Sequence, residues 1–392
     1  MHVSSAAGGS FLRAQTAIAA LFCSLGFQYA TWASRIPALK SELGLTAAQV
    51  GMLLMAAGVG AAVSFPLVAV LMRRLGSLRL ALLSHLCLTL LLPALAAAPD
   101  YPVALLVLCV DGVFVGCLNV AMNAQGAALE ERFARNAMAR LHAVFSGGSL
   151  LAALLASAMN VLTPSVGAHF GAAAAVLLLL GGYARTGLLA DGGATAAAET
   201  PGRRRWALPS RVTLWMCCAM VFGTVAEGAM NDWSTLYLRD VAEASAEIAP
   251  LGIAVVSGMM VLARLFADGW RNRWGDRRVV LLGSALAGAG LACALAAGGV
   301  APALAGFACV GLGIAAVTPC VYAAAAREGS DALTLVAAMG TTGLLAGPPL
   351  IGFIASASGL AWGMATVAAS ALVVSLCSTR IRWTPPVTAA SG

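Results

Sequence analysis

Charge is the scarce commodity in this sequence. Charged residues make up 10% of its 392 positions, against about a quarter in an ordinary soluble domain. Lysine occurs once, at Lys40, and no phosphate-loop glycines precede it. A nucleotide-binding loop needs a Gly-Lys pair for the phosphates, so ATP hydrolysis at such a site is excluded. No HExxH helix or other catalytic cluster is present, and an enzyme is not expected. The ten cysteines all fall inside apolar runs and lack metal-ligand spacing. Cys217 and Cys218 are adjacent, not C-x-x-C. They read as small packed thiols, and neither a metal nor a cofactor is expected.

Apolar residues are abundant instead: 60% hydrophobic, with a mean hydropathy of +0.90. That composition indicates a polytopic all-α membrane protein embedded in the lipid bilayer. At roughly 20 residues per span, the length accommodates about twelve. The first six apolar segments are Ala14–Ser34, Ala47–Met72, Leu78–Ala98, Val103–Ala124, Leu141–Leu162 and Val166–Tyr183. The second six are Val212–Leu236, Ile248–Ala267, Val279–Gly298, Pro302–Ala326, Leu333–Ala355 and Leu360–Ser378. Between them, Arg185 to Arg211 is Gly/Ala/Thr-rich and reads as a flexible linker. The expected organisation is a six-helix bundle over 1–184, a linker over 185–211, a second bundle over 212–379 and a tail over 380–392. Arg13 precedes a run too long for a signal h-region, so a retained first helix is expected, with no cleaved leader.

The net charge of +7 does not point to nucleic acid, because the arginines sit in short loops between apolar runs. With the N-terminus placed inside, nineteen basic residues fall on the inner side and three (Arg35, Lys40 and Arg239) on the outer. Such an excess sets topology, so both termini are expected in the cytoplasm. One loop organises the chain, Asn272-Arg273-Trp274-Gly275-Asp276-Arg277-Arg278. A weaker copy is Arg73-Arg74-Leu75-Gly76-Ser77-Leu78-Arg79. Gly76 and Gly275 are 199 positions apart, about half the chain, and Gly112 and Gly311 repeat that offset.

This repeated basic loop resembles the turn between the second and third helices of the major facilitator superfamily. Further stretches are similar to its YbjJ-type bacterial branch: Trp32-Ala33-Ser34-Arg35-Ile36-Pro37, Asn123-Ala124-Gln125-Gly126, Glu227-Gly228-Ala229-Met230-Asn231-Asp232-Trp233-Ser234 and Gly347-Pro348-Pro349-Leu350-Ile351-Gly352. The resemblance implies twelve helices as two pseudo-symmetric six-helix bundles, in an inner-membrane secondary transporter for a small-molecule solute. It also implies that the loop gates the inner face, through Gly76 in the first half and Asn272, Arg273 and Gly275 in the second. The first-half loop departs from the family pattern, with Arg73 where an acidic residue is usual and Ala69 where glycine is usual. Helix five, through Phe145-Ser146-Gly147-Gly148-Ser149, lacks the Gly-Pro motif of drug/proton antiporters. Transport is expected to run on an ion gradient, with protons as the coupling ion, or on the solute's own gradient. A monomer is expected. The alternatives are a drug or metabolite efflux antiporter and a membrane sensor with a transporter-like body.

Ionisable and amide residues inside spans are costly and face a cavity or a partner. Glu227 lies after the apolar run Met216–Ala226, with Asn231 four residues on along the same face. Glu227 is expected either to load and release a proton, to contact solute, or to pair with a helix of the other half. Asp111 is the next coupling candidate, on the helix that carries Asn119 and Asn123. Those two asparagines are expected to bind a hydroxylated or zwitterionic solute, or to make interhelical hydrogen bonds. Gln28 is expected to face a cavity, while Arg35 reaches outer water. His142, with Ser146 and Ser149 at i+4 and i+7, is either interfacial or a proton relay. Arg264, Asp268 and Asn272 at i, i+4 and i+8 are expected to form a ladder running into the gating loop. Trp233 and Tyr237 are expected to anchor the outer interface.

The arginine asymmetry generates a topology prediction. In a background without native thiols, single cysteines at Lys40 and Arg239 should label from the periplasm, and one at Arg203 from the cytoplasm. Labelling of the Lys40 position from the cytoplasmic side alone would overturn the arrangement.

Overall fold

The computed structural model describes residues 2–135, 137–190 and 209–383; the side chains of residues 2–9, 139, 268 and 330 lie outside that description. The tail residues 384–392 and most of the expected linker, including Arg203, lie outside it too. Among the described residues there are thirteen helices and no strand. They are α1 (His2–Ala33), α2 (Ile36–Glu42), α3 (Ala47–Ala96), α4 (Tyr101–Phe133), α5 (Met138–Leu162), α6 (Val166–Ala184), α7 (Arg211–Asp240), α8 (Leu251–Trp274), α9 (Asp276–Ala297), α10 (Val300–Ile314), α11 (Val317–Glu328), α12 (Ser330–Ser358) and α13 (Leu360–Ser378).

Ten helices among the described residues are long and apolar enough to cross a membrane. The twelve expected spans map onto them directly. The 50-residue α3 is two spans, broken at Gly76 where φ is 74° and ψ 173°. The apolar part of α8, Leu251–Ala267, is a further shorter span. Ten, one more for the break in α3, and one for α8 make twelve. The span Val300–Glu328 is α10 and α11 with a turn at Ala315 and Ala316 between them, where the sequence suggests one unbroken helix.

The turn between α8 and α9 repeats the break at Gly76. Gly275 has φ 79° and ψ 153° and separates α8 from α9. Both values lie where a side chain is disfavoured, so glycine is required at both turns. The offset of 199 recurs inside the packing. A Cβ on Gly112 of α4 would lie 1.8 Å from the carbonyl oxygen of Ala57. A Cβ on Gly311 of α10 would lie 2.5 Å from that of Val256. Ala57 and Val256 are themselves 199 apart. The same close helix crossing is thus built twice, once in each half.

The chain forms two compact units, Met1–Trp32 with Ala56–Trp206, and Ala33–Met55 with Ala207–Gly392. In the first, Ser149 Oγ donates to the Gly26 carbonyl at 3.1 Å and ties α5 to α1. His85 Nε2 meets the Leu177 carbonyl at 2.9 Å and ties α3 to α6. Gln125 is fully engaged at the inner end of α4: Nε2 donates to Ser77 Oγ at 2.7 Å and to the Leu189 carbonyl at 2.9 Å, and Oε1 accepts from the Leu189 amide at 2.8 Å. In the second unit α7 packs against α8, α10, α12 and α13, while α9 packs against α10 and α13.

Residues 33–55 pack within the second unit, and this corrects two expectations. The short helix α2 lies on α7, Lys40 pairs with Asp240, and Gly51 lies against Pro348 and Gly352. Arg35, expected in outer water, is 3% exposed. Burial lowers its pKa from the usual guanidinium value, and the Glu42 carboxylate works against that shift. Trp233 and Tyr237, expected as interface anchors, are also buried, Tyr237 edge-on to Phe307 at 6.0 Å. The helices packed around α7 turn its outer aromatic face into core.

The paired crossings generate a stability prediction. Gly112→Leu should overpack the α3–α4 crossing, costing about 1–3 kcal/mol or more. Gly147→Ala meets nothing within 4 Å and should leave stability within about 0.5 kcal/mol. Thermal unfolding of both purified variants checks this; equal midpoints would contradict the crossing.

Candidate functional site

Two polar constellations lie inside spans, one in each unit. In the first unit, Gln28 Nε2 of α1 donates to Asp111 Oδ1 of α4 at 2.6 Å. Asp111 is 3% exposed and Gln28 1%. Gln28 Oε1 is buried and has no hydrogen-bond partner among the described residues. Gln28, expected to face a cavity, is instead committed to α4. The physical reason is the neighbouring carboxylate: a buried acceptor of that strength draws the nearest amide donor. The Asp111 oxygen that Gln28 meets thus has a neutral amide as its partner.

Further along α4, Asn123 Nδ2 donates to the Asn119 carbonyl at 2.8 Å and to its Oδ1 at 2.6 Å. Asn119 is exposed and Asn123 half-buried. The two asparagines form one patch. Asp111 is eight residues away, about 12 Å along the helix, so the three residues split into a buried group and an accessible one. His142 is exposed at the start of α5 and stands edge-on to the Phe22 ring, centroids 5.1 Å apart. Ser149, seven residues on along the same helix, is buried and bonded to Gly26.

In the second unit the pair is ionic. Arg264 Nη2 of α8 donates to Glu227 Oε1 of α7 at 3.1 Å, with the two side chains 24% and 26% exposed. Asn231 Nδ2 donates to the Glu227 carbonyl at 3.1 Å. One expectation changes here: the partner of Glu227 comes from its own half of the chain, not the other. Arg264, expected in a ladder with Asp268 and Asn272, also reaches across to α7; the Asp268 side chain lies outside the described residues. Close by, Thr224 Oγ1 donates to the Gly340 carbonyl at 3.0 Å and fixes α7 against α12. A hydroxyl hidden in the apolar run before Glu227 gave no periodic signal of that contact.

At the turn between α8 and α9, expected to gate the inner face, Asn272 and Arg273 are exposed. The ion pair that spans the turn is Arg271 with Asp276: Nε donates to Oδ1 at 2.8 Å and Nη2 to Oδ2 at 3.4 Å. Sequence reasoning missed it. The signal is an arginine and an aspartate placed on either side of a glycine that reverses the chain. Glu130 plays a comparable part in the first unit, where its Oε1 accepts from the amides of Ala137 and Met138 at 2.5 and 2.9 Å and caps α5.

The Glu227–Arg264 contact generates a prediction. Glu227→Gln and Arg264→Gln should each destabilise, and the double variant should lose less than their sum by about 0.5–3 kcal/mol. A double-mutant cycle from denaturant unfolding in detergent measures it. Strict additivity would mean that the pair carries no coupling.

The geometry can be set beside known proteins. The sequence profile described as Major Facilitator Superfamily matches residues 17–328. The chain is 31% identical over 392 residues to an uncharacterised MFS-type transporter of Yersinia pestis, covering 95% of this chain and 98% of that one. It is 31% identical to the membrane protein MosC of Rhizobium meliloti, covering 93% and 89%, and 30% identical to the uncharacterised transporter y4wD of Sinorhizobium fredii, covering 87% and 91%. Among solved structures the fold is similar to the nucleoside transporter NupG, with a TM-score of 0.70 at 15% identity over 95% of this chain and 98% of that one. It is also similar to the transporter FucP, with a TM-score of 0.63 at 16% identity over 96% and 100%. Twelve spans, a packing repeat at an offset of 199 and these matches lead to one conclusion: the chain belongs to the Major Facilitator Superfamily of membrane transporters.

Proposed function

We propose that this transporter moves a small polar organic solute across the bacterial inner membrane by alternating access, coupled to protons. Both termini lie in the cytoplasm, and the working unit is the monomer. The observation that carries this reading is the contrast between the two constellations. Glu227 has a guanidinium partner and stays a quarter exposed. Asp111 has an amide partner and is buried.

A charged carboxylate held by an amide is costly inside a span. Protonation removes the charge. Turning the Gln28 amide end over end then lets the Asp111 hydroxyl donate to Oε1, the atom now without a partner. We therefore assign the proton to Asp111. The partly exposed Glu227–Arg264 pair presents both a carboxylate and guanidinium donors, a set suited to hydroxyl, amide or zwitterionic solutes. Asn231 sits beside it and supplies a further polar edge. Asn119 and Asn123 offer a similar accessible surface in the first unit. In this assignment Gly76 and Gly275 let the inner turns close, and the Arg271–Asp276 pair holds the second of them.

The structurally similar NupG is a nucleoside transporter, so uridine belongs in the first panel of solutes together with hexoses and amino acids. Proteoliposomes with an imposed pH gradient test the reading. Asp111→Asn should abolish proton-driven accumulation while solute exchange persists. Glu227→Gln should raise the half-saturation concentration about tenfold or more, the scale of one charge-assisted hydrogen bond. Normal accumulation by Asp111→Asn would make Asp111 structural. Loss of accumulation with intact exchange in Glu227→Gln would move the proton to the second unit.

A further inference from the structure

The far end of α8 carries a feature that neither solute nor proton transport uses. Phe266, Trp270 and Trp274 follow one another at intervals of four and stack along the helix. Phe266 and Trp270 lie 6.0 Å apart between centroids at 26°, and Trp270 and Trp274 lie 6.3 Å apart at 15°. Phe266 is 56% exposed and Trp274 45%. Arg273 lies beside them and is exposed. After the Gly275 turn, Arg277 and Arg278 open α9 and are exposed as well.

The position of this strip is informative. The apolar part of α8 ends at Ala267, and the helix continues seven residues to Trp274, about 10 Å further. That extension crosses the headgroup layer, about 5–8 Å on each side, and ends at its aqueous edge. Indole rings at this depth match the interface. The charge is also biased: residues 268–278 hold four arginines and two aspartates. One of those aspartates, Asp276, is taken up by Arg271.

The first repeat provides an internal contrast. Shifted back by 199, Phe266, Trp270, Trp274 and Arg277 become Leu67, Leu71, Leu75 and Leu78. The turn is common to both halves and carries at least three arginines in each (Arg73, Arg74 and Arg79 in the first), but the aromatic ladder belongs to the second alone. A requirement of the turn itself would appear in both copies.

We infer that Phe266, Trp270 and Trp274 with Arg273, Arg277 and Arg278 form a binding site for anionic phospholipid headgroups beside the second gating turn. The indoles hold the glycerol and upper acyl region, and the guanidiniums take the phosphate through charge-assisted hydrogen bonds. Each arginine near an anionic membrane surface contributes on the order of a fivefold preference. A lipid held there sits next to the turn that closes the inner face, so membrane charge would tune how readily the turn moves.

The test uses the delipidated full-length protein in detergent, titrated with dioleoyl-phosphatidylglycerol or dioleoyl-phosphatidylcholine, with lipid adducts counted by native mass spectrometry. Wild type should retain phosphatidylglycerol about a hundredfold over phosphatidylcholine, three contributions of about fivefold each. The variant R273Q/R277Q/R278Q should lose that preference, and W270L/W274L should weaken retention of both lipids. R73Q/R74Q/R79Q in the first repeat should keep the wild-type preference. Size-exclusion profiles report folding, and if the triple variant is misfolded, R277Q alone should lower the preference by about fivefold. An unchanged preference in the triple variant, or in R277Q, overturns the site. Equal retention of the two lipids by wild type overturns it too, leaving an aromatic anchor only. Displacement of phosphatidylglycerol by millimolar inorganic phosphate would show a site for soluble phosphate and would also overturn it.

Discussion

Hydrocarbon offers no water to a polar atom, so every donor and acceptor carried into it must find a partner in the protein. Most of this architecture follows from that constraint. The backbone meets it by helix, and helices without a hydrophobic drive between them associate through close backbone contact. Glycine supplies that contact at Gly112 and Gly311, each pressed against a carbonyl of the preceding hairpin. Side chains meet it in pairs: Gln28 with Asp111, Arg264 with Glu227, His85 with the Leu177 carbonyl.

The two carboxylates solve the same problem differently, and the proposed division of roles rests on that difference. Glu227 lies beside a guanidinium and keeps part of its surface. Asp111 is buried beside an amide whose other end is unsatisfied. A salt bridge that remains accessible can open toward a solute's polar groups. A buried carboxylate whose amide partner can donate or accept is suited to gain and lose a proton without moving far.

Much of this was legible in the sequence. The twelve segments were readable because hydrophobic length is a local property. The segments Ala47–Met72 and Leu78–Ala98 already bracket the break at Gly76 in α3, and the offset of 199 identifies Gly275 as its counterpart. Partner identity was harder to read. Arg264 and Glu227 are 37 positions apart, and Gln28 and Asp111 are 83 apart; which helices lie side by side is not encoded in periodicity. Arg264 therefore looked like the start of a ladder on its own helix. Trp233 and Tyr237 looked like interface residues because their depth was readable and the helices packed around them were not. Arg35 failed for the same reason, since its burial depends on α2 lying on α7.

The division of roles between the two carboxylates is tested most directly by infrared difference spectroscopy across a pH titration of the purified protein in lipid. A carboxylic acid C=O stretch that appears on acidification should be present in wild type and in Glu227→Gln, and absent in Asp111→Asn. The same band surviving in Asp111→Asn and vanishing in Glu227→Gln would contradict the account.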